Sequence, residues 1–535
     1  MSAVALRRAA LPGALVLSLG LGLALPSRAQ QGSDPTDPAN RAAPAPAASG
    51  EVPAPLKAIG GFFGGMLGGS SNKPQIDQIK PGVYAKSNEA IGEDRDLAEM
   101  QISRGVVPMA AFTDYAQSVL DKLKAASGVS GVPGRVYVVA SGELDAGATA
   151  DGNVYLSVAY LRSFKSEDEL AALLAHELAH VLLRHHDSNL FTRAQKQMSS
   201  WLAVGMGMRN TLDAMGANRA ASAALTPNQQ KALGELEVLI KFSDLALHPA
   251  WTRGQESEAD RLGMDLLVRA GYSYSAGLLP WLEMVAHWDE QRAQRQAEQE
   301  ARKQAALNTL FESGQFDQGL KQSLDAGVGQ IIGTLSRTHK HGRERLADID
   351  AYYIKVYQET VPGVAPRQQA YQAVVDRAAV KGVAEGYTKV FEARDLLLKG
   401  EAAKAGALLT PLLARNSPLA QHGLPNTLMV EALRATGKRR EAEAYLARSS
   451  AWSPTTWDVY DNAALFEKER GKRDAARQIG KTAFEKFARA PSAYPRLIAL
   501  YRRSGLPEDA QRVLGECKLV QADMRERCDE AARGS

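Results

Sequence analysis

Apolar residues in one segment of the chain recur with the period of an α-helix. The intervals of three and four residues that define one helix face separate Leu170, Leu173, Leu174, Leu178 and Val181. Ser166 lies just before this stripe and Glu169 follows it three residues later, which is the spacing of a capping box. We therefore predict a helix that begins near Ser166 and buries its apolar face.

The last third of the chain repeats at the scale of a helix pair. Glycines recur at intervals of 37, 34 and 34 residues, at Gly400, Gly437, Gly471 and Gly505. Five positions after each glycine stands an alanine, at Ala405, Ala442, Ala476 and Ala510. This pattern is typical of tetratricopeptide repeats. We predict an α-solenoid of such helix pairs over residues 367–535, whose curved surface would bind a protein or peptide; an ordinary helical bundle is the alternative.

The first residues have the pattern of a secretory signal peptide. A basic Arg7-Arg8 pair precedes a largely apolar run from Leu15 to Leu25, and small residues stand at Ser27 and Ala29. The apolar run is too short to span a membrane. We predict a signal peptide over residues 1–29, a mature chain that begins at Gln30, and export to the periplasm.

Residues 30–84 are rich in Pro, Ala, Gly and Ser, which predicts a linker without a core of its own. Within it, residues 60–69 place apolar residues between glycine pairs, which suits either a low-complexity linker or a tether for a partner or membrane surface. A second short apolar segment, residues 201–208, is flanked by charges. It suits an amphipathic helix packed on the protein, or at most a peripheral membrane contact.

Net charge argues against one class of partner. Removal of residues 1–29 takes away three arginines and no acidic residue, so the formal net charge falls from +4 to +1. A nearly neutral mature chain provides no electrostatic basis for binding nucleic acid. We expect no nucleic-acid partner.

The predicted helix carries the motif His176-Glu177-x-x-His180. Residues four apart lie on the same helix face, so both imidazoles can reach one metal ion. Glu177 is one position further round, where its carboxylate can accept a proton from a water molecule at that ion. Two imidazoles, an open coordination position and a carboxylate are the requirements of hydrolytic zinc chemistry. A surface-exposed amphipathic helix is the alternative.

A third protein ligand is expected from a second probable helix. Glu256 and Asp260 are again four residues apart. Glu256 could complete a zinc site of two His and one Glu, a combination known in catalytic centres. Asp260 could accept a hydrogen bond from the far nitrogen of a ligating His, and so orient the ring. An acidic, solvated helix start is the alternative.

Together these motifs resemble the zinc metallopeptidase family that includes HtpX and the CAAX prenyl proteases. Flanking sequence agrees at Gly152–Ser157, Arg184-His185, Arg253, Ala259–Gly263 and Ala270–Tyr272. The resemblance covers residues 85–355 and implies a mainly α, zincin-like domain with a small β-sheet. It further implies one Zn²⁺ ion held by His176, His180 and Glu256, with Glu177 as the general base. The substrate is then expected to lie extended against an edge strand near residues 154–157.

Two segments concern how such a site is completed and controlled. Relatives often have Asn-Ala before the active-site helix, whereas this chain has Gly142–Ala148, which leaves the substrate-binding edge unassigned. Thr338, His339 and Arg345 match a downstream motif, with Lys340 in place of its proline. In BepA-like members the corresponding His can occupy the open zinc position, so His339 is a candidate inhibitory fourth ligand. The alternatives are a helix-capping or exposed His, and His341 competes for the same role. His339 and Arg345 are also candidates to stabilise an oxyanion.

Peptidase and repeats in one exported chain resemble the BepA-like proteins of the Gram-negative periplasm. That resemblance implies an endopeptidase for misfolded or stalled envelope proteins, with repeats that recruit substrate or the outer-membrane assembly machinery. The alternative hypothesis is a chaperone or adaptor whose protease site is mostly latched. Natural substrates, the repeat partner and the oligomeric state stay open.

Cys517 and Cys528 are the only cysteines of the chain. Their spacing does not match a Cys-x-x-Cys metal site. In an oxidising compartment they could form one disulfide across the final helices. Two free buried thiols are the alternative.

Overall fold

The computed structural model describes residues 73–187, 251–311, 342–357, 364–521 and 524–533, with isolated positions at 226, 228, 229, 232, 322 and 325. These residues all belong to one compact unit, Asn72–Ser535. The predicted signal peptide, most of the predicted linker, the apolar segment 201–208, and both His339 and His341 lie outside the described residues.

The described residues are mainly helical, which confirms the predicted fold class. Those before residue 360 contain α1 Glu93–Ser103, α2 Ala110–Ser127, α3 Tyr160–Ser163, α4 Glu167–Leu182, α5 Arg253–Arg269, α6 Leu279–Phe311 and α7 Gly342–Val356. Helix α4 begins where predicted, because the Ser166 hydroxyl accepts a hydrogen bond from the backbone N–H of Glu169 at 3.2 Å. The Glu169 carboxylate accepts from the Lys165 N–H at 3.1 Å, one residue before the cap.

The β-structure is small and lies beside α4. A parallel pair is formed by β1 Gly82–Val83 and β2 Val129–Ser130. A second sheet contains β3 Val136–Val139, β4 Ala146–Ala148 and β5 Val154–Ser157 in the order β3-β5-β4. Strand β5 is parallel to β3 and antiparallel to β4.

The expected edge strand at residues 154–157 is wrong, because β5 is the central strand of its sheet. All four of its residues are buried, as in a strand that is covered on both faces. Strand β4, which pairs only with β5 among the described residues, lies at the edge instead.

Ordered structure begins within the predicted linker. Ile76 is only 1% exposed, and its backbone N–H donates to Asp265 Oδ2 at 2.9 Å. The Gln75 N–H donates to the Tyr352 hydroxyl at 2.7 Å. These long-range contacts attach residues 73–84 to α5 and α7, so the linker boundary at residue 84 was placed too late. A Pro- and Gly-rich composition predicts a linker, and it does not reveal that the buried Ile76 side chain attaches residues 73–84 to the rest of the protein.

Helices continue in pairs through the last third of the chain. They are α8 Gln368–Val375, α9 Ala378–Leu398, α10 Ala402–Leu412, α11 Gly423–Ala435, α12 Arg439–Leu446, α13 Trp457–Glu469, α14 Arg473–Lys486, α15 Ala493–Arg503, α16 Pro507–Val520 and α17 Arg525–Arg533. The four repeating glycines end the first helix of each pair with φ between 72° and 79°, where glycine is strongly favoured. The four repeating alanines are at most 4% exposed. Helix pairs thus occur at the predicted period, and their assignment to tetratricopeptide repeats stays a prediction.

The helix pairs share their apolar core with the residues that precede them. Tyr371 packs edge-on against Phe164, and its hydroxyl donates to the Leu161 carbonyl at 3.0 Å. The Arg367 N–H donates to Asp168 Oδ2, in the first turn of α4, at 2.6 Å. Further along the chain, Ala98 and Ile102 of α1 belong to the core of α13–α17. The predicted boundary near residue 360, between the metallopeptidase domain and the helix pairs, therefore does not separate two apolar cores.

A disulfide joins Cys517 of α16 to Cys528 of α17, one of the two alternatives left open by the sequence. It connects the last two helices, which also pack on α15. None of the helices among the described residues is long and apolar enough to cross a membrane.

Candidate metal centre

The site is built where α4 and α5 cross at very short distance. A Cβ atom on Gly263 of α5 would lie 3.1 Å from both the backbone N and the Cα of His176 on α4. Because glycine has no side chain, the two helices can approach this closely and bring their ligand-bearing faces together. The Thr252 side chain and Gln255 form a capping box that begins α5 just before Glu256.

His176, His180 and Glu256 converge at this crossing. The Nε2 atoms of the two histidines are 3.2 Å apart, and Glu256 Oε2 is 3.5 Å from His176 Nε2. All three residues are buried, and one ligand atom from each lies within 4.8 Å of the others. A tetrahedral zinc site with bonds of about 2.0–2.1 Å has ligand atoms roughly 3.3 Å apart, so donor types and spacing both fit this ion.

Acidic and basic side chains surround His176 on the far side of its ring. Asp260 Oδ1 lies 3.0 Å from His176 Nδ1, which leaves Nε2 directed toward His180. Arg345 donates to both Asp260 oxygens, from Nε at 2.9 Å and from Nη2 at 2.6 Å. Its Nη1 is 3.5 Å from Glu256 Oε2. Arg345 therefore balances the two buried carboxylates, and its guanidinium is engaged by Asp260.

The charges in this cluster shift each other's protonation. Burial acts to raise the pKa of Asp260, but Arg345 and His176 outweigh it and hold that pKa below its usual value. Burial and Arg345 act to lower the pKa of His176, but hydrogen bonds with Asp260 and Glu256 raise it to about 9. Burial, followed by the charge of His176, holds the pKa of His180 well below its usual value. Such opposite shifts in neighbouring groups are common at functional sites.

His180 is oriented by a second histidine on the turn that follows α4. His185 Nδ1 lies 2.8 Å from His180 Nδ1, and His185 Nε2 lies 3.2 Å from Glu258 Oε2. Trp251 stacks on the His180 ring with centroids 4.4 Å apart and an angle of 20° between planes. Both contacts restrict rotation of the His180 imidazole, so the fold itself orients this candidate metal ligand.

The next residue, His186, contacts the sheet. Its Nε2–H donates to the carbonyl of Ala148 on β4 at 2.9 Å. Burial lowers the pKa of His186 to about 4, so the ring is neutral near pH 7. His185 therefore supports the candidate ligand His180, whereas the next residue, His186, supports the edge strand β4.

Glu177 follows His176 in α4 and is 6% exposed. Trp281 of α6 packs against the His176 ring at 5.2 Å between centroids. Tyr160 is also buried nearby, and burial raises its pKa, with Glu177 adding to the rise. The carboxylate therefore lies in a pocket of low polarity beside the cluster of three possible ligands.

The structure brings together the sequence candidates His176, Glu177, His180, Glu256, Asp260 and Arg345. Trp251, Trp281 and Glu258 were missed by the sequence analysis, and His185 entered it only as a flanking match. A second His five residues after His180, on the turn that ends the helix, is a signal that could have revealed His185. The tryptophans reach the site from other segments, and no local pattern announces them.

Comparison with known proteins gives this cluster a context. Residues 111–353 match the family model described as Peptidase family M48, and this span includes every residue of the cluster. A protein of Yersinia pestis called Beta-barrel assembly-enhancing protease is 27% identical over 212 residues. The protein of the same name from Escherichia coli K12 is 28% identical over 200 residues. Mitochondrial metalloendopeptidase OMA1 of Schizosaccharomyces pombe is 29% identical over 175 residues.

These similarities cover part of each protein. The Yersinia pestis match covers 40% of this chain and 40% of its relative, and the Escherichia coli match covers 36% and 38%. The OMA1 match covers 32% of this chain and 44% of its relative. The chain therefore matches less than half the length of these relatives.

Proposed function

Because this chain carries a peptidase domain of family M48, we propose that it is a zinc-dependent endopeptidase that acts on misfolded or stalled envelope proteins. The observation that carries this proposal is the convergence of His176, His180 and Glu256 at one buried point, beside Glu177. In this proposal the first three hold one Zn²⁺ ion. When bound, zinc acidifies a water molecule and polarises a carbonyl group.

Glu177 is the proposed general base. It follows a ligand on the same helix, so its carboxylate faces the position where an attacking water would lie. It accepts a proton from that water as the peptide carbonyl is attacked. It then returns the proton to the amine that leaves. The surrounding apolar side chains exclude bulk water, which would otherwise compete for that proton.

Strand β4 is the proposed edge for an extended substrate. Ser157 N–H donates to the Asp145 carbonyl at 2.8 Å and Thr149 N–H to the Asn153 carbonyl at 2.9 Å. In an antiparallel pair, successive residues direct their N–H and C=O groups alternately toward and away from the partner strand. Asp145 bonds to β5, so the backbone groups of the next residue, Ala146, point away from β5. A peptide in extended conformation could pair there by addition of one strand.

The compartment and the substrate class are proposed from the leader and from the relatives. A predicted signal peptide over residues 1–29 supports a periplasmic location. The name Beta-barrel assembly-enhancing protease supports substrates that are β-barrel envelope proteins in assembly. The helix pairs of residues 367–535 are proposed to recruit the substrate or the assembly machinery.

A chaperone or adaptor with a mostly latched site is the second candidate function. It is favoured by the attachment of the helix pairs to the metal-binding helix, through Arg367 and Asp168. A partner held by the helix pairs would then bind the same compact unit that contains the metal cluster. Deletion of residues 367–535 would not test this, because it would expose the shared core around Tyr371.

Casein cleavage and complementation of a null strain separate the two functions. We expect about one zinc per chain by elemental analysis, and cleavage of unfolded casein that stops with a chelator and in Glu177→Gln. If wild type and His339→Ala both fail to cleave casein in the presence of zinc, the peptidase proposal is wrong. If Glu177→Gln fully complements a null strain, the adaptor function is the essential one.

A further inference from the structure

A second polar cavity lies apart from the metal cluster, between the turn that joins β3 to β4 and helices α6 and α9. Its volume is about 270 Å³. Its ionisable lining comprises four arginines and two acidic residues, for a formal net charge of +2: Arg104, Arg292, Arg295, Arg394, Glu143 and Asp395. Such a surplus of cations around a partly open cavity suits recognition of an oxyanion.

The guanidinium groups are held there at an electrostatic cost. Burial lowers the pKa of Arg104 to about 10, and the neighbouring charge of Arg292 adds to this effect. Burial also lowers the pKa of Arg292 and that of Arg394. Like charges in a region of low polarity repel each other, and a bound anion would relieve that repulsion.

The acidic residues only partly balance these cations. Asp145 pairs with Arg104, and Glu143 Oε2 lies 3.1 Å from Arg295 Nη2. Burial raises the pKa of Asp395, against the opposing charges of Arg394 and Lys399. Arg394 is held over the Phe391 ring at 5.2 Å, and its buried Nε has no hydrogen-bond partner among the described residues. Arg394 therefore retains a donor atom that no hydrogen bond among the described residues uses.

The surroundings favour an anion that carries an apolar group. A neighbouring cavity shares Gly142, Phe391 and Asp395 with the first. Its remaining lining combines apolar side chains with charged ones, among them Leu144, Met284, Arg162, Glu392 and Lys399. A Cβ atom on Gly142 would lie 3.1 Å from the Phe391 ring, so the segment between β3 and β4 approaches α9 closely where the two cavities meet. Gly142 also comes four residues before β4, the edge proposed to pair with substrate backbone.

We propose that the arginine-lined cavity binds the terminal carboxylate of a polypeptide, with the last apolar side chain in the neighbouring cavity. The identity of the occupant rests on the proposed peptidase function, whereas the anion site does not. A chain end held by Arg394 and Arg292 would align the preceding residues with the edge of β4. This makes the cavity a site that selects substrates by their free C-terminus.

The test is a binding measurement on the full mature chain with Glu177→Gln, so that no cleavage is needed. Calorimetry would compare acetyl-Ala-Leu-Leu as the free acid with the same peptide as its C-terminal amide. The free acid is expected to bind about 10-fold or more tightly, because a charge-assisted, bidentate interaction is lost in the amide. Equal affinity of acid and amide would overturn the proposal, whether or not the enzyme cleaves proteins.

Variants then locate the effect. Arg394→Gln is expected to reduce the affinity of the free acid to that of the amide, and Arg394→Lys to restore part of it. Arg343→Gln, on the exposed surface of α7 and outside the helix pairs, is the matched control and should change neither affinity. An unchanged acid–amide ratio in Arg394→Gln and in Arg292→Gln would place the carboxylate elsewhere and overturn the proposal. The acid–amide comparison itself needs no cavity variant, so it decides the proposal even if one fails to fold.

Inorganic phosphate distinguishes the source of the anion. It shares the oxyanion chemistry but has no apolar group, so it is expected to compete with the free acid at millimolar concentration. Phosphate binding that depends on Arg394, without binding of the peptide, would reject the chain end as the occupant.

Discussion

The Nδ1 atoms of His180 and His185 lie 2.8 Å apart, within hydrogen-bond distance. The Glu258 carboxylate, 3.2 Å from His185 Nε2, accepts a hydrogen bond from the N–H there, and an imidazole with that single N–H accepts at Nδ1. His180 then donates from Nδ1 and keeps the lone pair of Nε2 for a metal ion. Glu258 and His185 thus select the tautomer of a proposed ligand from outside the coordination sphere.

Loss of this support should weaken metal binding. His185→Phe is expected to reduce zinc affinity by about 10–100-fold, since outer partners of ligating histidines have effects of that size. Competition with a chromogenic chelator measures the affinity directly. His287→Phe, at a histidine on α6 that contacts Gln291 rather than the cluster, is the matched control and should bind zinc normally. Equal zinc affinity in the two variants would remove His185 from the site.

Arg345 should be essential for stability rather than for binding substrate. Arg345→Leu leaves the buried Asp260 carboxylate without its bidentate partner, and such a loss costs about 3–5 kcal/mol. Urea denaturation of the protein measures this. Arg343→Leu, two residues away and 75% exposed beside Glu290, should destabilise the protein far less, because its ion pair is solvated. Similar losses in both variants would show that the buried pair is not what Arg345 contributes.

The crossing of α4 and α5 should not tolerate a side chain at residue 263. Gly263→Val would press on the His176 backbone, and overpacking of this kind costs about 1–3 kcal/mol or more. We expect a lower melting temperature together with weaker zinc binding, because His176 and Glu256 would move apart. In Gly254→Ala the new Cβ would meet nothing closer than 3.9 Å, so this variant of the same helix should retain zinc.

His186 should make folding stability depend on pH in the mildly acidic range. Its pKa is about 4 in the folded state, against an ordinary value of 6.5. As the pH falls below 6.5 the unfolded chain takes up a proton that the folded chain does not bind until about pH 4. Stability is therefore present above pH 6.5 and is lost across that window, by about 3 kcal/mol.

His186→Gln provides the comparison, since glutamine can still donate to the Ala148 carbonyl but does not titrate. Denaturant unfolding of zinc-free protein at pH 7 and pH 4 should show a smaller decrease in the variant. Parallel pH profiles for the two proteins would mean that His186 titrates normally in the folded state.

The latch hypothesis for His339 predicts a gain of activity. If its imidazole occupies the open zinc position, His339→Ala should raise the rate of casein cleavage several-fold at constant zinc content. His341→Ala is the matched variant, two residues away, and should leave the rate unchanged. A rise in His341→Ala alone would transfer the role to His341, and unchanged rates in both would exclude a histidine latch.

Local spacing was enough to predict the parts of the site that belong to single helices. His176 and His180 share a face because they are four residues apart, and Ser166 caps their helix as its spacing to Glu169 predicts. The repeating glycines could also be interpreted locally. Each ends the first helix of a pair, where the chain turns with a positive φ that glycine favours. Such features depend on contacts within about five residues, which a sequence displays directly.

The tertiary structure decided what surrounds those parts. Arg345 lies on Asp260, Trp251 stacks on His180, and Ile76 anchors the chain 189 residues from Asp265. It also made β5 a central strand and merged the helix pairs with the core around α4. The sequence by itself determined which residues can hold a metal, because helical spacing is local. Only the fold decided what orients them and which strand edge stays open, because those depend on contacts between segments far apart in the chain.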